Sequence, residues 1–315
     1  MKILPRCSLL SARCSLLAVR CSLLAALLVS CAAPHPPHRQ FSDQLRQGSK
    51  RIAVIGDQQR TSWIEFWKES NTVHADVVRR VAEQKPDALI LLGDQVFWST
   101  SASDWRFFDD IMQPVHALNI PVFPLFGNHE YMGCGDAGII NMQSRFAAAS
   151  TTWYRWDADS VAYIMLNSNW SSIGDDSTRM QREWFISELQ RCEQDVTIRA
   201  IVVSSHHPPF TNSTVVHDDV ISRDEFVPLF LQVRKGQLWL SGHCHAVEMF
   251  ERDGKRFIVS GGGGGPRQKL ATGEYAQYAD ILHGGPVRPL NSLMLQRNGD
   301  SILVSIDSLL SSPDR

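Results

Sequence analysis

Residues 238–250 read LWLSGHCHAVEMF, an apolar stretch that runs straight into two histidines flanking one cysteine. A short apolar run that stops at a glycine has the length of a buried strand. His243 and His245 are two apart and point to the same side of an extended segment. A strand that ends on two like-facing imidazoles needs partners, so the reading depends on whether other strands end the same way. Ile55-Gly56-Asp57-Gln58-Gln59, Leu92-Gly93-Asp94, Phe126-Gly127-Asn128-His129-Glu130 and Ser205-His206-His207-Pro208 each sit just past an apolar run. Glycine precedes the polar residue in four of the five blocks, where a tight turn or close backbone approach is needed. A single Gly-Asp is a common turn, and a lone histidine is ordinarily a satisfied core residue. Five such blocks in order are what an open α/β sheet gathers at the carboxyl edge of its strands.

The chain around these blocks alternates strand and helix. Runs at 51–55, 88–92 and 122–126 predict strands, separated by helical patterns at 73–84, stopped by Lys85-Pro86, and at about 104–118. That spacing suits βαβ units with a parallel sheet. Runs at 153–156 and 161–166 are close enough to pair as a hairpin-like ribbon, and a helix at 179–191, with Trp184, Ile186 and Leu189 inward, leads to a strand at 198–203. The last third is strand-rich, at 237–240, 247–250, 257–260, 293–296 and 302–306. The fold class expected is α/β: two mixed sheets face to face with helices outside both, a four-layer αββα sandwich.

At 315 residues and 43% hydrophobic content there is ample material for a core, and from residue 51 onward no linker-like stretch divides the chain, so 51–315 reads as one domain. Residues 1–31 differ: Lys2, Arg6, Arg13 and Arg20 with no acid, then an apolar run at 23–29 too short to span a bilayer. With Leu28-Val29-Ser30-Cys31, this resembles a bacterial lipoprotein signal. The resemblance implies cleavage before Cys31, a lipid anchor on its thiol and a place in the cell envelope; an ordinary secretory signal cut nearby is the alternative. Arg-Cys-Ser-Leu-Leu recurs at residues 6, 13 and 20, which reads as a duplication or an over-long start. Residues 32–50 open with Pro34, Pro36 and Pro37 and read as a polar tether, with His35 and His38 solvated. Residues 1–31 hold 4 of the 31 Lys and Arg and none of the 33 acids, so the remainder carries a formal charge of −6, which excludes a basic nucleic-acid footprint. Cys134, Cys192 and Cys244 remain, and the one disulfide to test is Cys134 with Cys192.

Asp57, Asp94, Asn128 and His206 add carboxylate, amide and imidazole to the two histidines, a donor mixture that first-row divalent metals accept. Taken in order, Gly56-Asp57-x-Gln59, Gly93-Asp94, Gly127-Asn128-His129-Glu130, His206-His207-Pro208 and Gly242-His243-Cys244-His245 resemble the blocks of the calcineurin-like metallophosphoesterases, over residues 51 to about 265. The resemblance implies two divalent or mixed-valence transition-metal ions (manganese, iron or zinc) bridged by Asp94. One ion would also have Asp57, Gln59 and His245, and the other Asn128, His206 and His243. It further implies in-line attack of a hydroxide, shared by ions roughly 3.5–4 Å apart, on the phosphorus of a small phosphoester. His129 would contact the phosphoryl oxygen or serve as the acid, and Glu130 would orient its neighbours.

Departures from the pattern matter. Most relatives carry His at the position of Gln59, and purple acid phosphatases place a tyrosine three residues after the bridging Asp, where this chain has Phe97. Gln59 therefore offers a neutral amide oxygen, which favours harder ions such as manganese or iron and predicts no tyrosinate-to-iron colour. His207 is read as substrate-facing or packed beneath the site, His217 as a substrate-facing histidine or a plain surface residue, and Cys244 as a buried filler. The five glycines at 261–265 match no phosphate-binding fingerprint and read as a flexible turn. Trp63, Trp67, Trp98 and Trp105 could line a cleft, though core packing is the default for tryptophan near helices; His74, His116 and His283 receive no role. The rival to an enzyme is a protein that keeps the fold and binds metal or phosphate without turnover, with Gln59 as the first sign of decay.

Overall fold

The computed structural model describes residue 45 and residues 48–61 and 72–309. Residues 1–44, with the expected leader and Cys31 and most of the expected tether, and Trp63 and Trp67 lie outside the described residues.

Among the described residues, eleven strands form two mixed sheets. The first has the order β11-β10-β1-β2-β3, from β1 (Arg51–Ile55), β2 (Ala88–Leu91), β3 (Val122–Pro124), β10 (Leu290–Asn298) and β11 (Ser301–Leu309). β1, β2 and β3 run parallel, while β10 pairs antiparallel with both β1 and β11. The second has the order β4-β5-β6-β7-β9-β8, from β4 (Tyr154–Ala158), β5 (Val161–Met165), β6 (Ala200–Ser205), β7 (Gly236–Ser241), β8 (Val247–Arg252) and β9 (Lys255–Ser260). β5, β6, β7 and β9 are parallel, and β4 and β8 close the two edges antiparallel. The ribbon expected at 153–166 is the β4–β5 hairpin.

Strand alternation sorts the side chains into layers. Ile52 and Val54 of β1 and Ile90 of β2 meet Tyr163, Met165, Val202, Leu238, Leu240 and Ile258 of the second sheet in one buried cluster. The alternate residues Ala53, Ile55, Leu89 and Leu91 face the other way, onto Val77, Val78 and Val81 of α1 (Thr72–Glu83) and Trp105 and Phe108 of α2 (Ala102–Ile111). On the far side Ile201, Val203 and Trp239 pack on Phe185 and Leu189 of α5 (Trp170–Gln194) and Phe230 of α6 (Val227–Gln232). The result is the αββα sandwich. A one-residue slip in any of these strands would exchange its two faces, which is why the register is firm.

Several elements depart from expectation for identifiable reasons. The helix expected at 104–118 is two, α2 and α3 (Gln113–Ala117), because Pro114 lies in the first turn of α3 and has no N–H to continue the ladder. The helix expected at 179–191 starts at Trp170, interrupted at Gly174 with φ 79°. α4 (Gly135–Arg145) was not expected: its sequence carries two glycines and little amphipathic pattern. It is held by tertiary contacts, since buried Arg145 pairs with Asp109 at 3.0 Å and lies 4.3 Å over the Trp105 ring. The α6 segment also escaped the sequence reading. Cys134 and Cys192 do not pair; both are free thiols. Cys134 caps α4, whose Met142 packs outside the first sheet, whereas Cys192 is buried outside the second, so both sheets stand between them.

Candidate metal centre

Five parallel strands deliver their following residues to one edge, and three of those residues are forced into left-handed backbone: Asp57 (φ 62°), Asp94 (φ 55°) and His243 (φ 65°). Such conformations cost about 1–3 kcal/mol each in a non-glycine residue and persist only where their surroundings hold them. Here each peptide N–H is held: Asp57 donates to the Gly93 carbonyl at 3.1 Å, Asp94 to Glu130 Oε2 at 2.9 Å, and His243 to both oxygens of Asp57 at 3.0 Å. Gly127 must lack a side chain, since a Cβ there would lie 2.1 Å from Asp94 Oδ1.

Imidazole orientation follows from what each ring nitrogen meets, because a carbonyl oxygen can only accept. His206 Nδ1–H donates to Leu92 O at 2.8 Å, His245 Nδ1–H to Pro266 O at 2.9 Å, and His129 Nδ1–H to Phe97 O at 2.7 Å. Their Nε2 atoms are left to face the cluster. His206 Nε2 is 3.0 Å from Asn128 Oδ1 and 3.3 Å from Asp94 Oδ2; His245 Nε2 is 3.6 Å from Asp57 Oδ1; His129 Nε2 is 3.9 Å from Asp94 Oδ2. Backbone carbonyls that fix the tautomer of an imidazole in this way are the usual outer support of a metal ligand.

Two groups of donors emerge. The donor atoms of Asp57, Asp94 and His245 lie within 4.8 Å of one another, and so do those of His206, His207 and His243. Gln59 belongs beside the first group, its Nε2 donating to His245 Nε2 at 3.0 Å. Asp94, with Oδ2 at His206, reaches both groups. Glu130 is no donor to either. It is fully buried and accepts from Gly127 N at 2.7 Å and from Asp94 N and Gln95 N at 2.9 Å, so it clamps the loops that carry Asp94 and Asn128.

Burial raises the Asp57 carboxyl well above the usual range, and the Asp94 charge adds to it against an opposing pull from His206. Burial also works against charge on Asp94, but His206 and His129 outweigh it and hold Asp94 well below the usual carboxylate range. His206 is correspondingly raised to about 9 by Asp94 despite its burial. Burial, helped by the neighbouring histidines, pushes His207 down to about 3, His245 to about 4 and His243 well below its ordinary value, so these rings are neutral and keep a lone pair. Burial pushes Glu130 up to about 7.

These residues fit a pair of cations. The acceptor Gln59 Oε1 and the ring nitrogen His243 Nδ1 are buried with no hydrogen-bond partner, a costly state that a cation would relieve. The proton held at His206 Nε2 sits between two oxygen acceptors, where a positive charge is already required.

His207 is closer to this centre than the sequence suggested. Its ring lies 4.5 Å from that of His243, and its Nδ1 meets Ser168 Oγ at 2.8 Å. Ser168 was missed, although the apolar run 161–166 before Asn167-Ser168-Asn169 carries the same strand-end signal as the other five blocks. His217 is exposed, and no hydrogen bond joins it to the cluster among the described residues. Cys244 is a buried filler and Trp105 a core residue, while Trp98 is 42% exposed. The glycines at 261–265 are all buried and packed, not a loose turn. His74, given no role from sequence, is fully buried with Nε2 2.9 Å from the Gln59 carbonyl.

Comparison with known proteins bears on the family and the fold. The family model "Calcineurin-like phosphoesterase" matches residues 50–247. The chain is similar to purple acid phosphatase 22 of Arabidopsis thaliana, 24% identical over 212 residues, covering 64% of this chain and 45% of that protein. It is also similar to tartrate-resistant acid phosphatase type 5 of Mus musculus, 22% identical over 249 residues, covering 68% and 72%. Among solved structures, a purple acid phosphatase from yellow lupin (Lupinus luteus) superposes with a TM-score of 0.66 at 14% identity, covering 84% of this chain and 52% of that one. GAP50, the anchor in the inner membrane complex of Plasmodium, superposes at 0.63 and 14%, covering 83% and 85%. The chain thus spans about half the length of the two plant proteins.

Proposed function

The chain belongs to the calcineurin-like phosphoesterase family, and on that premise we propose that it hydrolyses a small phosphate ester with two metal ions, manganese, iron or zinc. Asp57, Gln59 and His245 would hold one ion and Asn128, His206 and His243 the other, with Asp94 placed to serve both. The observation that carries this reading is the position of Asp94, whose carboxylate adjoins His206 on one side and lies in the Asp57–His245 group on the other.

When bound, such a pair supplies Lewis-acid charge to the phosphoryl oxygens and acidifies a water for attack. The chain's own residues do the rest. His129 is fixed by its Nδ1–H bond to Phe97 O and by the Phe97 ring 5.0 Å away, so Nε2 is aimed beside Asp94 to hold a proton for the leaving oxygen. His207, steadied by Ser168, faces the substrate beside His243. His217, on the loop after β6, approaches only a substrate that extends outward. Asn128 is oriented toward His206 by the turn that Glu130 clamps, so the site is assembled before substrate arrives. The leader pattern of residues 1–31 supports an exported protein tethered to the cell envelope through Cys31, and hence a substrate outside the cytoplasm.

The test is release of nitrophenol from mono- and bis-nitrophenyl phosphate with manganese or iron added, alongside H129A. Turnover by the wild type is expected, with kcat lowered by about 100-fold or more in H129A at unchanged metal content. Full metal occupancy without turnover of either ester would instead establish the non-catalytic binding protein.

A further inference from the structure

The buried glycine run makes a specific set of contacts. Gly261 N–H donates to Ala246 O at 3.0 Å, Gly263 N–H to Gly56 O at 2.8 Å and Gly265 N–H to Asp57 O at 3.0 Å, and Pro266 O accepts from His245 Nδ1. The approach leaves no room for a side chain. A Cβ at Gly261 would lie 2.7 Å from Asp57 Oδ2, one at Gly265 2.8 Å from His245 Cε1, and one at Gly264 2.3 Å from His74 Cδ2. Gly264 also has φ +137°, which other residues rarely adopt.

His74, on α1, is the link to the remaining donor. Its ring is fully buried between Gly264 and the Phe107 edge, centroids 5.3 Å apart. Its Nε2 lies 2.9 Å from a carbonyl, so it carries the proton and donates to Gln59 O. Asp57, Gln59 and His245 therefore share one frame: a hydrogen bond from the Gly265 N–H to the Asp57 carbonyl, one from the His245 ring to the Pro266 carbonyl, and one to the Gln59 carbonyl from a histidine seated on Gly264. None of these contacts reaches Asn128 or His206.

We propose that His74, backed by Gly264, is a positioning residue that sets the affinity of the Asp57–Gln59–His245 half for its ion independently of the other half. An uncharged amide oxygen is a weak ligand, so its contribution depends on being held toward His245 before the ion arrives. The inference rests on the two-ion reading above and extends it to a residue that touches no ion.

The experiment measures metal stoichiometry and stepwise affinity, by elemental analysis and chelator competition with manganese, in full-length wild type, H74F, H74Q and Gly264→Ala. Circular dichroism establishes that each is folded. H74F keeps an aromatic ring and loses the donor. It is expected to weaken one ion by about 10- to 100-fold and leave the other unchanged, H74Q to recover part of the loss, and Gly264→Ala to behave like H74F. Two ions at wild-type affinity in folded H74F, or parallel loss of both, would overturn the proposal. Should H74F not fold, Gly264→Ala is read against the same two outcomes. A wild type that binds only one ion would sink the two-ion reading instead, and is recognisable because it precedes any substitution.

Discussion

Asn128 and His206 sit in a frame built on charge, whereas Asp57, Gln59 and His245 sit in one built on peptide groups. On the first side, Glu130 gathers three N–H groups, and His206 pairs with Asp94. On the second, the partners are the Pro266 carbonyl, the Gly265 N–H and a buried histidine seated on a glycine. Hydrogen bonds to a carboxylate are roughly twice as strong as neutral ones, so the charged frame can rely on few contacts. The peptide frame relies on close approach, and a single methyl group in the wrong place is enough to open it. The two halves should therefore fail in different ways.

The largest effect is expected where they meet. Asp94→Asn keeps the shape but removes the shared charge, so both ions should weaken and kcat/KM fall on the order of 1000-fold, about 4 kcal/mol. Steady-state kinetics with metal analysis checks this, and an unchanged pair of ions would mean that the halves do not share Asp94. Next comes Glu130→Gln, whose amide cannot accept all three N–H groups. It should cost about 10- to 100-fold, chiefly in the affinity of the Asn128–His206–His243 half, and an equal loss from both ions would dissolve the comparison.

The last effect is on stability rather than on the ions, and probes a buried acid beneath the peptide frame. Glu248, fully buried on β8, accepts from Thr211 Oγ1 at 2.6 Å and Asn212 N at 2.9 Å, and burial pushes it up from 4.5 to about 7. Between those values the folded chain keeps a proton that the unfolded chain releases. Its contribution to stability therefore falls as pH rises through that window and is level above it. Glu248→Gln should lack this slope, so the stability difference between variant and wild type should shift toward the variant by about 3 kcal/mol from pH 4 to pH 8. Parallel denaturation profiles across that range would show that Glu248 does not titrate in the fold.

Much of the sandwich was legible because buried strands announce themselves: residues 52–55, 88–91 and 200–203 are apolar throughout. What escaped was structure held by long-range contacts. α4 depends on the Arg145–Asp109 pair and on Gly138 approaching the Glu130 carbonyl, neither of which leaves a periodic trace. In the site, ordered strand ends marked Asp57, Asp94, Asn128, His206, His243 and His245, because the sheet converts strand order into proximity. The supports were hidden: His74 lies on a helix, Ser168 in a polar turn without a glycine after β5, and the Leu92 and Pro266 carbonyls belong to no residue type at all.

By itself, then, the sequence determined which chemical groups stand at the edge of the parallel strands, since apolar runs and glycine turns are local features. Only the tertiary structure decided how those groups are held: which ring nitrogen is free, that 261–265 is a packed frame, and that Cys134 and Cys192 lie on opposite sides of the sandwich. Those outcomes depend on distances between segments far apart in the chain, and no local pattern of residues encodes them.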